Sequence, residues 1–392
     1  YTFLRKHLGV RWLWPGEEDI PKQPTIAVSP FVFRYHPTLR MRNTMLSPAA
    51  PYRVGQPGKG TAAWKRFNRI QLDSLYVPCN HAFNTWWERC HETHPEYFAL
   101  QPDGTRSGFP RPNNAKMCEA NPLVWEQWLA DVRDALTRHP TMRAFTASEN
   151  DGWMSGHCIC ERCRAWDHPD GEACPFHWQG VAQQYVALTD RQVTFANQLA
   201  RRLRERFPDK DCYVSLLAYG NSRPAPLEAV PENNVIIVNV AHFFHNLSGQ
   251  RFNNVGEIER ESFIAWSKVA ENQIWRPNLG DHAGWKKGGP VNFGRAAENF
   301  RLLSDTGCIG IFFDNVWLYW ATQGPLYYLM AQLAWNPLAD AQAVMDDYYR
   351  RGFGPAYEPV KAYWKWQEEA CLAMVPGGRD WCEAFDNAWF AR

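Results

Sequence analysis

Apolar residues recur along this chain in two rhythms. Short, nearly continuous apolar runs at CYVSLLAYG (212–220), NNVIIVNVAHFF (233–244), NQIWRPNL (272–279) and CIGIFFDN (308–315) predict strands buried on both faces. PTLRMRN (37–43), DSLYVPCN (73–80) and MRAFTAS (142–148) predict earlier strands of the same series. Longer segments with apolar positions three and four apart lie between them. NPLVWEQWLADVRDALTRH (121–139) and VAQQYVALTDRQVTFANQLARRLRERF (181–207) predict amphipathic helices. ESFIAWSKVAE (261–271) predicts another, and so does FGRAAENFRLLSDTG (293–307), which ends on Gly307 as a C-cap glycine.

Strand alternating with helix implies parallel pairing with helices outside. Seven or eight such strands over residues 37–320 fit an α/β fold of the (β/α)8 TIM-like barrel kind better than an open sheet, and no glycine-rich dinucleotide fingerprint is present. Residues 1–36 read as the tail of a further N-terminal domain and a linker. Residues 321–392, with YLMAQLAWNP, AVMDDYYRRGF and AYWKWQEEACLAMV, read as a C-terminal helical region.

In such a barrel, chemistry sits where the strands end. Those ends carry Arg40 and Arg42; His81, followed by Trp86; Glu149, Asn150, Asp151 and Trp153; Tyr219; His242 and His245; Trp275, then Asp281 and Trp285; and Asp314, then Trp317. Acids, amides, imidazoles, guanidinium groups and indoles converging on one rim are what a sugar cleft needs: polar groups for hydroxyls and flat platforms for ring faces. Glycosidic cleavage uses two carboxyl groups, one protonating the leaving oxygen and one acting as base or nucleophile. Alternation along a strand places Glu149 and Asp151 on one side. Either Glu149 or Asp151 can be the acid, with Asp314 or Asp281 opposite.

Composition narrows the partners. The 392 residues carry a net charge of +1, which argues against a nucleic-acid or polybasic membrane partner, and no apolar stretch is long enough to span a bilayer. Aromatic residues make up 15 %, with 20 Trp, which favours a carbohydrate partner. The eleven cysteines are an odd number, so they cannot all pair internally. Cys158, Cys160 and Cys163 cluster as C-x-C-x-x-C, with His157 ahead and Cys174 behind. A structural zinc site and a metal-free group of thiols or one disulfide both fit this spacing. In either form the loop holds the end of the preceding strand in place. No other cofactor is implied.

Several runs resemble a known family. RWLWPG, HPEYFAL, the S-x-N-D strand end followed by C-x-C-x-x-C, LAYG-x-x-x-P and LYYLMAQLAWNP, in that order, look like the bacterial domain of unknown function 4838, which is grouped with TIM-barrel glycoside hydrolases. More distantly the chain resembles the α-glucuronidases. Their general acid lies in an A-N-S-E-G run, and ASENDG puts Glu149 at a similar place, whereas S-x-N-D matches Asn150 and Asp151; the wider resemblance thus implies Asp151 as the first choice for the acid and Glu149 as the second. The resemblance to α-glucuronidases also implies acidic bases late in the barrel, but HFFHN at the sixth strand end has none. It implies a secreted or periplasmic glycoside hydrolase acting on a complex polysaccharide or glycan. The alternatives are a non-catalytic carbohydrate-binding barrel and a zinc hydrolase with an open metal.

Overall fold

The computed structural model describes residues 1–45, 60–152, 155–179, 181–243, 255–277, 291–314 and 320–374. Two units are formed: Tyr1–Ser74 with His242–Arg260 and Arg276–Arg392, and Leu75–Ala241 with Glu261–Trp275. The described strands are β1 (Arg11–Trp14), β2 (Glu17–Asp19), β3 (Met41–Met45), β4 (Ala144–Thr146), β5 (Ala173–Trp178), β6 (Val181–Val186), β7 (Tyr213–Ala218), β8 (Val235–Asn239), β9 (Asn272–Trp275) and β10 (Gly310–Asp314).

In the second unit β4, β7, β8 and β9 lie side by side in that order, all parallel. Every residue of β8 is buried, as are Val214–Ala218 of β7, so these strands carry the apolar character that two covered faces demand. Each fully buried Val or Ile there contributes about 1.5–3 kcal/mol. Helix Pro122–Arg138 starts where Asn121 accepts a hydrogen bond from the Leu123 N–H and Pro122 presets the first turn. Its buried stripe, Val124, Trp128, Val132 and Leu136, shares one core with Phe195, Leu199 and Leu203 of helix Thr189–Arg206 and with Val214, Leu216, Val235 and Ile237.

In the first unit β1 and β2 form a hairpin, with Gly16 at a φ of 86° between them. β3 and β10 pair in parallel from Met41 and Gly310 to Met45 and Asp314. Helix Trp320–Trp335 is buried from Gln323 to Ala334 on every side, so it shows no amphipathic stripe. Helices Ala341–Phe353 and Tyr357–Met374 follow it. Asp347 accepts from Arg11 at 2.7 Å and from Arg351 at 2.6 Å, and Arg351 also reaches Asp19 at 2.6 Å.

The expectation of a (β/α)8 TIM-like barrel is corrected. Six parallel strands are present among the described residues, in place of the eight that closure needs. DSLYVPCN forms no strand: Pro78 has no N–H to donate to a ladder, and 75–80 run as irregular chain. Residues 181–186 are not the first turns of a helix. They pair antiparallel with β5, from Val181 opposite Trp178 to Val186 opposite Ala173, and the helix begins only at Thr189. The stretch is rich in β-branched and aromatic side chains, and a neighbouring strand overrides its weak helical periodicity.

Candidate functional site

The chain leaves β4 as Ala147, Ser148, Glu149, Asn150 and Asp151, and each step is anchored. Ser148 Oγ accepts from the Leu217 N–H at 2.9 Å, and the Ser148 carbonyl accepts from the Ala82 N–H at 2.9 Å. The buried Asn150 side chain bridges two segments, accepting from the Phe83 N–H at 3.0 Å and donating to the Ala115 carbonyl at 2.8 Å. His81 Nδ1 hydrogen-bonds the Glu149 carbonyl, and Lys116 donates to the Asn150 carbonyl. This scaffold leaves two carboxylates in different surroundings.

Glu149 points inward and keeps 9 % of its side-chain exposure. Its Oε2 lies 2.9 Å from His157 Nδ1 and 3.7 Å from Lys116 Nζ. Asn221 Nδ2 lies 3.2 Å from the other imidazole nitrogen, which leaves Nδ1 to donate to Glu149. Burial by itself would raise the Glu149 carboxyl, but His157 and Lys116 outweigh it and pull it down to about 2. Glu119 lies behind Glu149, accepting from Gln192 Nε2 at 2.8 Å. Burial first, and the charge of Glu149 second, push the Glu119 carboxyl well above the usual range, which favours its protonated form beside Glu149. Burial lowers the Lys116 ammonium, and the carboxylates around it partly restore it.

Asp151, by contrast, is exposed. It stands with His81, Tyr219, Asn221 and Glu149 around a narrow recess of about 30 Å³. The volume is well below that of ligand sites, which run from about 300 to 1,000 Å³, and is on the order of one or two water molecules. Polar groups surround it, and Leu188 and Leu217 contribute apolar wall.

The cysteine loop lies in the same unit. Cys118, Cys158, Cys160 and Cys163 converge, with all four sulfurs within 4.8 Å of one another. Cys174 stands apart on β5 and is not a member; the fourth sulfur comes from Cys118, forty residues upstream of Cys158. His157 joins Glu149 and Asn221, not the thiols. Hydrogen bonds from Cys118 and Cys163 pull the Cys158 thiol down, and the same crowding pushes Cys118 up to about 12.

The remaining expected site residues fall in three groups. Trp86 is 2 % exposed and packs edge-to-face on Phe83, and Trp275 is fully buried with its indole N–H on the Ala241 carbonyl at 2.9 Å; both are core residues. In the first unit, Arg42 is buried and donates to the carbonyls of Leu39, Arg69 and Leu72, while Arg40 is half-buried and its N–H pairs with the Ile309 carbonyl. The His242 N–H donates to the Glu259 carboxylate. Asp314 closes β10, but its side chain, like Trp153, His245, Asp281, Trp285 and Trp317, lies outside the described residues.

Sequence reading missed Lys116, Cys118 and Glu119. Their signal was the run AKMCEANP, where a Lys, a Cys and a Glu stand together just before a helix cap. Three clustered cysteines also called for a fourth. Among the described residues, no helix is long and apolar enough to cross a membrane. A search of curated proteins returns no match. The model of the family described as a domain of unknown function (DUF4838) matches residues 12–365, nearly the whole chain with its acidic strand end and its cysteine loop, and the protein belongs to that family.

Proposed function

We propose that this protein is a glycoside hydrolase that acts on a complex polysaccharide or glycan, with Asp151 as the carboxyl that meets the glycosidic oxygen. One observation carries the reading. Of the two acids at the end of β4, Glu149 is held inside by His157 and Lys116, whereas Asp151 is exposed at a polar recess. Glu149 then acts as a positioning residue. Its ionised carboxylate fixes His157 and Lys116, and Lys116 in turn holds the Asn150 carbonyl next to Asp151.

In this mechanism Asp151 gives its proton to the departing sugar oxygen as the bond to the anomeric carbon breaks. A second carboxylate either activates water or attacks that carbon. The sequence nominates Asp281 and Asp314 for that second role. Tyr219, His81 and Asn221 offer hydroxyl, imidazole and amide groups to the sugar ring.

The test is a screen of the full chain on aryl glycosides and on plant and algal polysaccharides, followed by Asp151→Asn on any substrate found. Turnover should fall at least about a hundredfold with folding unchanged, the usual scale for a positioned acid. Wild-type turnover in Asp151→Asn removes Asp151 from the chemistry. Saturable sugar binding without hydrolysis would instead establish a carbohydrate-binding protein.

A further inference from the structure

We infer that Cys118, Cys158, Cys160 and Cys163 bind one zinc ion as a closed tetrathiolate site. A Zn–S bond is about 2.3 Å, so two sulfurs on a tetrahedral ion stand about 3.8 Å apart. Cys118 Sγ lies 3.7 Å from Cys160 Sγ and 3.9 Å from Cys163 Sγ, and all four sulfurs fall within 4.8 Å. A disulfide would bring two of them to about 2.05 Å, well inside these separations.

The surroundings suit thiolates. The Leu100 N–H donates to Cys158 Sγ at 3.2 Å and the Ala120 N–H to Cys163 Sγ at 3.4 Å, hydrogen bonds of the kind that orient and stabilise sulfur ligands. The Arg106 guanidinium lies against Cys118 and offsets negative charge there. On binding, the four thiols release four protons and the zinc–thiolate unit carries two negative charges. Cys118, Cys158 and Cys163 are fully buried, and four sulfurs complete the coordination, so the site is structural and leaves no open position for substrate.

The ligands come from two segments that also build the wall of the recess. Cys118 lies between Lys116 and Glu119 in the chain, and Cys158 directly follows His157. One ion therefore ties the segment bearing Lys116 to the segment bearing His157, the two groups that hold Glu149. This inference stands whether or not the protein hydrolyses sugars.

The full chain, purified without added metal, is analysed for bound metals by mass spectrometry. About one zinc per chain is expected. Cys118→Ser should lose most of that zinc, and Cys174→Ser should retain it. Should Cys118→Ser fail to fold, the wild-type protein decides: a mercurial titration should release the zinc in step with the reaction of four thiols. The inference is overturned by protein without zinc, by iron in its place, by an intact mass showing a disulfide among these cysteines, or by zinc that depends on Cys174 and not on Cys118.

Discussion

Arg42 and Glu149 are both charged, both largely withdrawn from solvent and both placed at or just beyond a parallel strand, yet they are held in opposite ways. The Arg42 guanidinium donates to three backbone carbonyls and lies 5.4 Å from the Trp335 ring centroid, while its own N–H is bound to Asp73 at 2.7 Å. Glu149 is held by two ionisable side chains, His157 and Lys116, and borders an open recess. A charge satisfied by backbone has one state and braces the chain. A charge satisfied by titratable groups near solvent can change state with its neighbours, and this is the arrangement in which chemistry is found. Arg42, proposed from sequence as a sugar ligand, and Glu149, proposed as a catalyst, thus separate by what surrounds them.

The comparison can be broken at several points. Glu149→Gln carries the largest expected effect, a loss of about 3–5 kcal/mol in denaturant unfolding at pH 7, because it leaves the buried Lys116 without its counter-charge. The pH dependence has a definite sign. The folded carboxyl titrates near 2, below its ordinary value, so its contribution is fully present above the unfolded carboxyl's range and is lost as pH falls toward 2. The stability gap between wild type and Glu149→Gln should therefore be constant at neutral pH and close on acidification. A gap that widens in acid would contradict the assigned charge states.

Arg42→Leu should cost about 2 kcal/mol, since it strands buried carbonyls, and should leave turnover on any substrate unchanged. A large fall in turnover with intact stability would return Arg42 to the site. Asn221→Ala should cost about 1 kcal/mol by removing one hydrogen bond to His157. Asp151→Asn should change stability by no more than about 0.5 kcal/mol, as an exposed substitution does. Thermal unfolding of these variants beside an activity assay reads both axes at once.

Much of the fold was legible because its signals are local. Asn121 with Pro122 announces the helix that follows, and the apolar run at 235–239 can only be a strand covered on both faces. The number of strands was not legible, and the barrel read from sequence was wrong, because strand count depends on partners far away in sequence. DSLYVPCN has strand-like composition but carries Pro78, and Val181–Val186 is a strand only because Ala173–Trp178 lies beside it. The indoles show the same limit. Trp86 follows a polar turn just as a sugar platform would, yet it is packed among Phe83 and Tyr97.

By itself the sequence determined which residue types meet near the end of β4, since Ser148 to Asp151 are consecutive, and that the C-x-C-x-x-C loop follows within a dozen residues. It also determined the family, through motifs spread over the whole chain. The tertiary structure alone decided that Glu149 turns inward and Asp151 outward, and that Lys116, Glu119 and Cys118 belong with them. The physical reason is that burial and charge pairing act through space. The Ala99 N–H on the Lys116 carbonyl and the Ile159 N–H on the Leu100 carbonyl draw three distant segments together, and only then does a carboxylate acquire its cation and a cysteine its three partners.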